Sequence, residues 1–579
     1  MPGFVYGLRQ PAIIGELILD KARDIDFSVI DQTLLAIIPE FDPGAAFSPN
    51  AANIAERLAQ LAIAAQRHLG HPVSEKYWIT SVDGSQGRIF RCLFPAHHLR
   101  STKALLEWLV DVVGGAIENR DEAAVLDGYR KRFAVLSDSL HKIRPESLNT
   151  YNLIMSAWEL DVPVTHIVDN IYSFGTGNRA RVLDSSFTDK TAAISATLAK
   201  NKFATTQLLR QAGIPAPEQK VVSSADQAVN AAKRLGYPVV VKPIKEDGGR
   251  GVSANLRDEA TVREAVREAL TFGADFLVER HFPGRDYRIT VLDGAVIKVE
   301  QRVAGGVIGD GLATIAALVD RLQETPRHKY FRRTYGRPLL LLDAEAKSIL
   351  EEQGLTSESV PGEEQFVPLR RKNNISAGGS QVLVPLAQVH PDNLALARRC
   401  ADVLGLDLAG VDLLIPDISA SWYKVGACIC EVNAKPQIGR NTTPTIYNDL
   451  LKRLVGEDAR IPLHLVIAAD GEVIDHAALQ SLMRELGCNA LSTASGLWID
   501  GVRLASKPTS GFQAARILIA ERSAASALSV VTLGEIGKAG LPFDRFETIR
   551  PSSLCPKFPA LMQAIVPHTA QFVESFDGT

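Results

Sequence analysis

Residues 236–254 read Gly-Tyr-Pro-Val-Val-Val-Lys-Pro-Ile-Lys-Glu-Asp-Gly-Gly-Arg-Gly-Val-Ser-Ala. The β-branched run Val239–Val241 predicts a short buried strand that delivers Lys242. Pro243 and a loop holding Asp247, Gly248, Gly249, Arg250, Gly251 and Val252 follow. Closely spaced glycines let backbone N–H groups turn toward one centre, which suits an anion such as phosphate. A lysine just before such a loop adds a point charge for the same phosphates. The spacing does not fit the P-loop, which ends in Gly-Lys-Ser/Thr. Glycine-rich turns also follow strands without any ligand, so the stretch alone leaves both readings open.

A second constellation is acidic. Asp412 lies in Leu-Ala-Gly-Val-Asp-Leu-Leu-Ile, and Glu431 and Asn433 lie in Cys-Glu-Val-Asn. Both surroundings are apolar and β-rich, so each carboxylate is delivered from a strand. Glu431 and Asn433 are two apart and project to one side. Carboxylate and amide oxygens are ligands for Mg²⁺ shared with substrate phosphates; carboxylates at strand ends also serve as caps. Upstream, Glu279 and Asp286 bracket a Pro-Gly turn, with Tyr287 and Arg288 beyond it.

The elements that must position these groups are legible in outline. Thr188-Asp189-Lys190 can cap a helix running toward Lys202 and Phe203 and stopping at Gly213. A helix over 224–235, capped by Ser224, leads into the glycine-rich stretch, and a third runs over 258–272. The strand Phe276-Leu-Val-Glu-Arg ends near Glu279. Helices and strands alternate, which predicts an α/β region. The N-terminal part mixes helical and strand-like segments, with amphipathic helices over 50–70 and 103–115. His97-His98 has no carboxylate or cysteine at ligand spacing and reads as a solvated or structural pair.

At 579 residues one core is unexpected. The expected divisions are 1–165, 166–460 and 461–579. A net charge of −3, with 46% apolar and 22% charged residues, gives no global argument for nucleic acid or membrane binding. No apolar run reaches membrane-spanning length, and the N-terminus lacks a signal-peptide pattern. The six cysteines are scattered and are expected to be reduced and buried in a cytoplasmic protein. The run from Arg327 to Arg337 interleaves basic and aromatic residues, a nucleic-acid-like pattern, but a surface loop or anionic-polymer contact is simpler.

In combination the motifs resemble the ATP-grasp superfamily of carboxylate–amine ligases over about 190–445. The order is a helical lysine, Val-Lys-Pro, a glycine-rich loop, Glu279 with Asp286 seven residues on, then Asp412 and Glu431-x-Asn433. Asp247–Ser253, Gly284–Arg288, Gly309–Ile315, Lys372–Ser380 and Glu431–Pro436 further resemble cyanophycin synthetases. The resemblance implies ATP and Mg²⁺ as cofactors. Lys202 and Lys242 would contact phosphates and the Asp247–Ser253 loop would close over them. Glu279 would hold adenine, Asp286 the ribose, and Asp412, Glu431 and Asn433 the metal. Lys242, Arg288 and Arg302 are the catalytic candidates. Arg288, Arg302, Ser376, Gly378, Gly379, Ser380 and Arg440 are candidates for gripping substrate or the transferring phosphate.

One departure stands beside the metal motif: Lys435 and Gln437 replace small residues, which opens the substrate's identity. The C-terminal part resembles a Mur-ligase-like domain without its chemistry. Glu472 stands where a phosphate-binding lysine would be, Val473 where a metal-binding threonine would be, and Val530 and Leu533 replace an acidic ligand and an arginine. The family's N-terminal His-x-x-Glu-His motif matches only Asn53-Ile-Ala-Glu56-Arg57, so no zinc is expected.

The expected fold is therefore α/β (α+β): an ATP-grasp fold preceded by an α+β domain and followed by a truncated Mur-ligase-like remnant. That architecture resembles the cyanophycin synthetase 2 type and implies an ATP-dependent peptide ligase that polymerises β-aspartyl-arginine dipeptides. The alternatives are an ATP-grasp ligase for other amino acids or dipeptides and a non-catalytic scaffold of an active synthetase. The implied partners are a small peptide substrate and a growing polymer, with no nucleic acid or membrane. The chain is expected to be a homo-oligomer.

Overall fold

Val239, Val240 and Val241 are buried in the strand Val239–Pro243, in which all five residues are buried. The computed structural model describes residues 1–19, 26–41, 51–84, 87–244, 251–371, 373, 375, 378–504, 508–556 and 559–573. Asp247, Gly248, Gly249, Arg250 and Ser376 lie outside the described residues. The strand joins an antiparallel four-stranded sheet in the order Ser253–Leu256, Val239–Pro243, Phe276–Arg280, Gln219–Val222. The helices Ala225–Leu235 and Glu259–Ala269 cover this sheet with Ala228, Val229, Ala232, Val262 and Val266. Ser224 caps the first, and Asp258 with Thr261 forms a capping box on the second.

A second antiparallel sheet has the order Ser380–Leu383, Ala295–Val303, Arg285–Leu292, Leu408–Ile415, Cys428–Asn433. Successive strand residues point to opposite faces, and the register sorts this sheet into two unlike faces. Tyr287, Ile289, Val291, Val299, Val411, Leu413, Ile429 and Val432 form an apolar face packed with the helix Pro391–Leu404. Asp286, Arg288, Glu300, Arg302, Asp412 and Glu431 occupy the alternate positions, facing one another across neighbouring strands. A charged face backed by a hydrophobic core is the platform of the site. Both sheets belong to one compact unit, Ser186–Ile446.

The second unit is Met1–Ser185 with Tyr447–Thr579. It holds a three-stranded antiparallel sheet (Ala12–Leu19, Gly87–Pro95, Trp78–Gly84) packed with the helices Phe27–Ile37, Ile54–His68, Leu99–Ile117 and Ala123–His141, and a seven-stranded sheet with parallel pairing at its centre. The expected divisions at 165/166 and 460/461 differ from this arrangement, in which the two ends of the chain share a core. Phe4, Val5 and Leu8 pack with Leu463, Leu465, Leu541 and Ile565. Phe4 and Leu541 exchange both backbone hydrogen bonds at 2.9 Å.

Locally the structure departs from expectation in three places. The single helix expected from Thr188 to Gly213 is two, Ala193–Lys200 and Lys202–Gln211. Asn201 breaks it, its side chain accepting the Phe203 and Ala204 N–H groups at 3.1 Å each. Thr188 does not cap; its hydroxyl donates to Asp407 Oδ2 at 2.6 Å. Cys430, Cys488 and Cys555 are half-buried rather than buried, while Cys92, Cys400 and Cys428 are buried as expected. The run at 327–337 is mostly the helix Pro326–Tyr335, not a loop.

In the N-terminal part, Asn53 caps the helix Ile54–His68 by accepting the Glu56 N–H, and Glu56 accepts the Ala52 N–H. Those side chains serve the helix start. His98 caps the helix Leu99–Ile117. Burial, reinforced by His71, pushes His97 down to about 3. Among the described residues no helix is long and apolar enough to cross a membrane.

Candidate active site

Two ion pairs hold the lysines Lys242 and Lys202, the first buried on both sides and the second between buried Lys202 and half-buried Glu431. Lys242 Nζ lies 2.8 Å from Glu279 Oε2, with both side chains 7% exposed. Leu277 stands opposite Lys242 across the two strands, so the pair bridges neighbouring strands on the diagonal. Burial opposes the lysine's charge, but the Glu279 carboxylate, with Glu431 further off, outweighs it and holds Lys242 above its ordinary value. Gln219 Nε2 donates to the same Glu279 oxygen at 2.7 Å. Its Oε1 is buried without a partner, an acceptor open to a donor from a base. The second pair is Lys202 Nζ to Glu431 Oε1 at 3.0 Å. The break at Asn201 puts Lys202 in the first turn of its helix, facing the charged sheet.

The other side of the site is an arginine–aspartate cluster. Arg288 Nη2 and Arg302 Nη1 donate to Asp412 Oδ2 at 3.2 and 3.1 Å, and Arg288 Nε donates to Asp412 Oδ1. Burial would raise the Asp412 carboxyl; the two guanidinium groups outweigh it and keep the carboxyl below its usual range. Asp286 joins this group. Asn373 Nδ2 donates to its Oδ2 at 3.2 Å. Burial, with the Asp412 charge, pushes Asp286 up to about 6.

Asp412 and Glu431 stand directly opposite each other, and Asn433 stands opposite Gly410, on the same face. Two carboxylates and an amide form an all-oxygen donor set suited to Mg²⁺. The Asn433 Nδ2 is buried with no hydrogen-bond partner. Turning that amide about its last torsion would put its oxygen there instead, so these residues fit a hard cation.

Gly251 adopts φ +64°, and a Cβ there would lie 2.7 Å from Phe272, so this end of the loop requires glycine. Val252 is half-buried beside it. Gly378 and Gly379 lead into the strand that starts at Ser380, and Arg327 Nη2 donates to Gly379 O at 2.6 Å and to Ile375 O at 3.3 Å. Arg440 is half-buried.

Several contributing residues were not anticipated. Lys298 and Glu300 form an ion pair at 2.8 Å that is almost wholly buried. Lys298 also donates to Ile438 O at 2.8 Å and Gly439 O at 3.0 Å, and the Thr442 hydroxyl donates to Glu300. Together they fix the segment that carries Arg440. The signal was available: Lys298, Glu300 and Arg302 alternate along one strand, a charged face at period two. Gly410 is another. A Cβ at this position would lie 2.8 Å from Arg288 Nη1 and 2.7 Å from Pro436 Cβ, so its bareness admits the guanidinium to Asp412.

In the C-terminal sheet the loop after Leu463–Ala468 is occupied by its own carboxylates. Glu472 Oε2 accepts the Ala469 N–H at 2.7 Å and the Ser552 hydroxyl at 2.6 Å, and Asp470 accepts the Gly534 N–H at 2.8 Å.

Residues 194–275 match the ATP-grasp domain family. The chain is similar to a cyanophycin synthetase of Trichormus variabilis, 30% identical over 390 residues, 65% of this chain and 42% of the relative. It is also 34% identical over 284 residues to a glutathione biosynthesis bifunctional protein of Mannheimia succiniciproducens, covering 47% of this chain and 36% of that protein. The chain spans less than half the length of these curated relatives. The crystal structure of a bifunctional glutathione synthetase from Pasteurella multocida aligns with 71% of this chain and 59% of its own, at a TM-score of 0.41 and 20% identity.

Proposed function

We propose that this chain is an ATP- and Mg²⁺-dependent carboxylate–amine ligase that adds β-aspartyl-arginine dipeptides to a growing peptide polymer. The observation that carries the reading is the set of cations, Lys202, Lys242 and Arg288 buried and Arg302 half-buried, each paired with a carboxylate within one unit. Paired charges of this kind are costly to bury and concentrate where charge must be stabilised during reaction. The similarity to cyanophycin synthetases supports the polymer as product.

In this reading Glu279 and Gln219 hold the adenine, and Lys242 and Lys202 turn toward the phosphates. Gly251 and Val252 close the loop over them. Asp412, Glu431 and Asn433 would hold Mg²⁺, which when bound would neutralise charge on phosphoryl oxygens. Arg288 and Arg302 orient the substrate carboxylate, whose oxygen attacks the γ-phosphorus as ADP leaves. An amine then attacks the acyl carbon and phosphate departs, giving the amide. No protein nucleophile is required; the cations supply electrostatic stabilisation. Asp286 is assigned to the ribose by the resemblance. Arg440 and the Gly378–Ser380 segment grip the peptide.

A second reading, a ligase for another amino acid or dipeptide, is favoured by Lys435 and Gln437. Both are exposed beside the metal motif, and Lys435 Nζ lies 5.5 Å from the Phe187 ring centre. The C-terminal sheet is proposed to be a remnant without ATP chemistry, because a carboxylate at 472 repels phosphate. The chain is proposed to act in the cytoplasm as a homo-oligomer. The test is phosphate release from Mg-ATP with a polymer primer. Release that depends on β-Asp-Arg supports the first reading; release with another amino acid or dipeptide instead supports the second.

A further inference from the structure

One row of the charged sheet is covered by the chain that follows the metal motif. In strand register Lys298 stands opposite Thr290, Thr290 opposite Gly410, and Gly410 opposite Asn433. Beyond Asn433 the chain returns across this row. Pro436 packs on Gly410, where a Cβ would lie 2.7 Å from Pro436 Cβ. Ile438 and Gly439 reach Lys298, whose Nζ donates to their carbonyls at 2.8 and 3.0 Å.

This returning segment has no regular secondary structure of its own, yet it is tied down along its length. Ser186 Oγ donates to Pro436 O at 2.7 Å, and the Thr442 hydroxyl donates to Glu300. Lys298 Nζ also lies 2.8 Å from Glu300 Oε1, and the two side chains are 1% and 2% exposed. Three acceptors around one nitrogen use the three hydrogens of an ammonium group. A buried ion pair gives little net stability over an apolar pair of similar volume. What an apolar pair could not do is hold two backbone carbonyls and a hydroxyl of one irregular segment. Arg440 follows Gly439 directly, so the Lys298 anchor sets its place. It is half-buried and has no ion-pair partner among the described residues.

We infer that Lys298 and Glu300 are positioning residues for the peptide substrate: they fix the 436–442 segment so that Arg440 meets a substrate carboxylate. Buried as they are, they act through that segment and touch neither peptide nor nucleotide. The choice of a peptide as the ligand of Arg440 rests on the ligase reading.

Lys298→Met/Glu300→Leu removes both charges together and leaves no unpaired ion, so its melting temperature should stay close to that of the wild type. In phosphate release from Mg-ATP its KM for the peptide should rise about tenfold, with KM for ATP unchanged. Thr442→Val keeps the ion pair and loses only the hydroxyl; it should raise the peptide KM several-fold, and Thr442→Ser should restore it. Hydrogen exchange read by mass spectrometry should quicken over 436–442 in the double variant, with the strand Leu408–Ile415 unaltered. The proposal is overturned by an unchanged peptide KM in the double and Thr442→Val variants, by a KM for ATP that rises in step with that for peptide, or by unaltered exchange over 436–442. A wild type that releases no phosphate with any amino acid or peptide overturns the ligase reading; one that does, with both variants unchanged, overturns the positioning role alone.

Discussion

The chemistry of single residues turns on how buried charges are compensated. Asp412 accepts from two arginines, and its substitution has two separable consequences. Asp412→Asn is expected to lower ATP-dependent turnover at least about a hundredfold, by loss of a proposed metal ligand and of the arginine positioning. It also leaves Arg288, 8% exposed, without its anion. Unfolding in urea should become easier by about 3 kcal/mol. Phosphate release and urea titration read the two effects separately, and unchanged turnover removes Asp412 from the site. Lys242, Asp412 and Glu431 stood out in the sequence because each interrupts an apolar run. Gln219 and Gly410 did not, since nothing local marks a glutamine at a strand start or a glycine whose missing side chain matters to Arg288 and Pro436, both far from it in the chain.

At the scale of elements, the arrangement depends on where helices break and which strand faces are bare. Asn201 supplies the cap that starts the Lys202 helix, so Asn201→Ala should cost about 1 kcal/mol. It should also raise KM for ATP more than it lowers the melting temperature, because Lys202 loses its fixed place in the first turn. An unchanged KM would assign Asn201 to stability alone. Gly410→Ala should lose most turnover, measured by phosphate release, since the added methyl meets Pro436 Cβ at 2.7 Å and Arg288 Nη1 at 2.8 Å. Helix positions were legible from apolar spacing, and the strand delivering Lys242 from its valines. The break at Asn201 was not, because asparagine is tolerated in helices and becomes a cap only when the following turn's N–H groups are presented to it.

For the whole molecule, the two termini share a core. Removing residues 1–8 should therefore lower the melting temperature of the Met1–Ser185 and Tyr447–Thr579 unit by exposing Leu541 and Leu463; an unchanged melting curve would exclude the shared core. The same unit carries an acid-sensitive pair. Burial pushes His97 to about 3 and His71 to about 4. Both are neutral when folded and take up protons on unfolding, near an ordinary 6.5. Their contribution is full above about pH 6.5 and is lost as pH falls toward the folded values. His97→Gln should flatten the fall of stability between about pH 6 and pH 4 by nearly one proton, measured by urea unfolding across that range. Glu472→Ala should leave ATP turnover unchanged while loosening the loop that Glu472 holds; a large loss of turnover would show a working second nucleotide site.

The sequence by itself determined the chemistry on offer. It placed lysines before and beside a glycine-rich loop, acidic residues on strands, an ATP-grasp order of motifs, and a carboxylate where the C-terminal part would need a lysine. These are properties of residue type and near spacing, and apolar alternation specifies the strand faces that carry them. Only the tertiary structure decided which charges meet. Strand register set Asp412 against both Arg288 and Glu431, and it joined residues 1–8 to a sheet that begins at 463. It also left His328 Nε2 buried with no hydrogen-bond partner. Such pairings depend on burial and on contacts between residues far apart in the chain, where desolvation makes each unpaired charge costly.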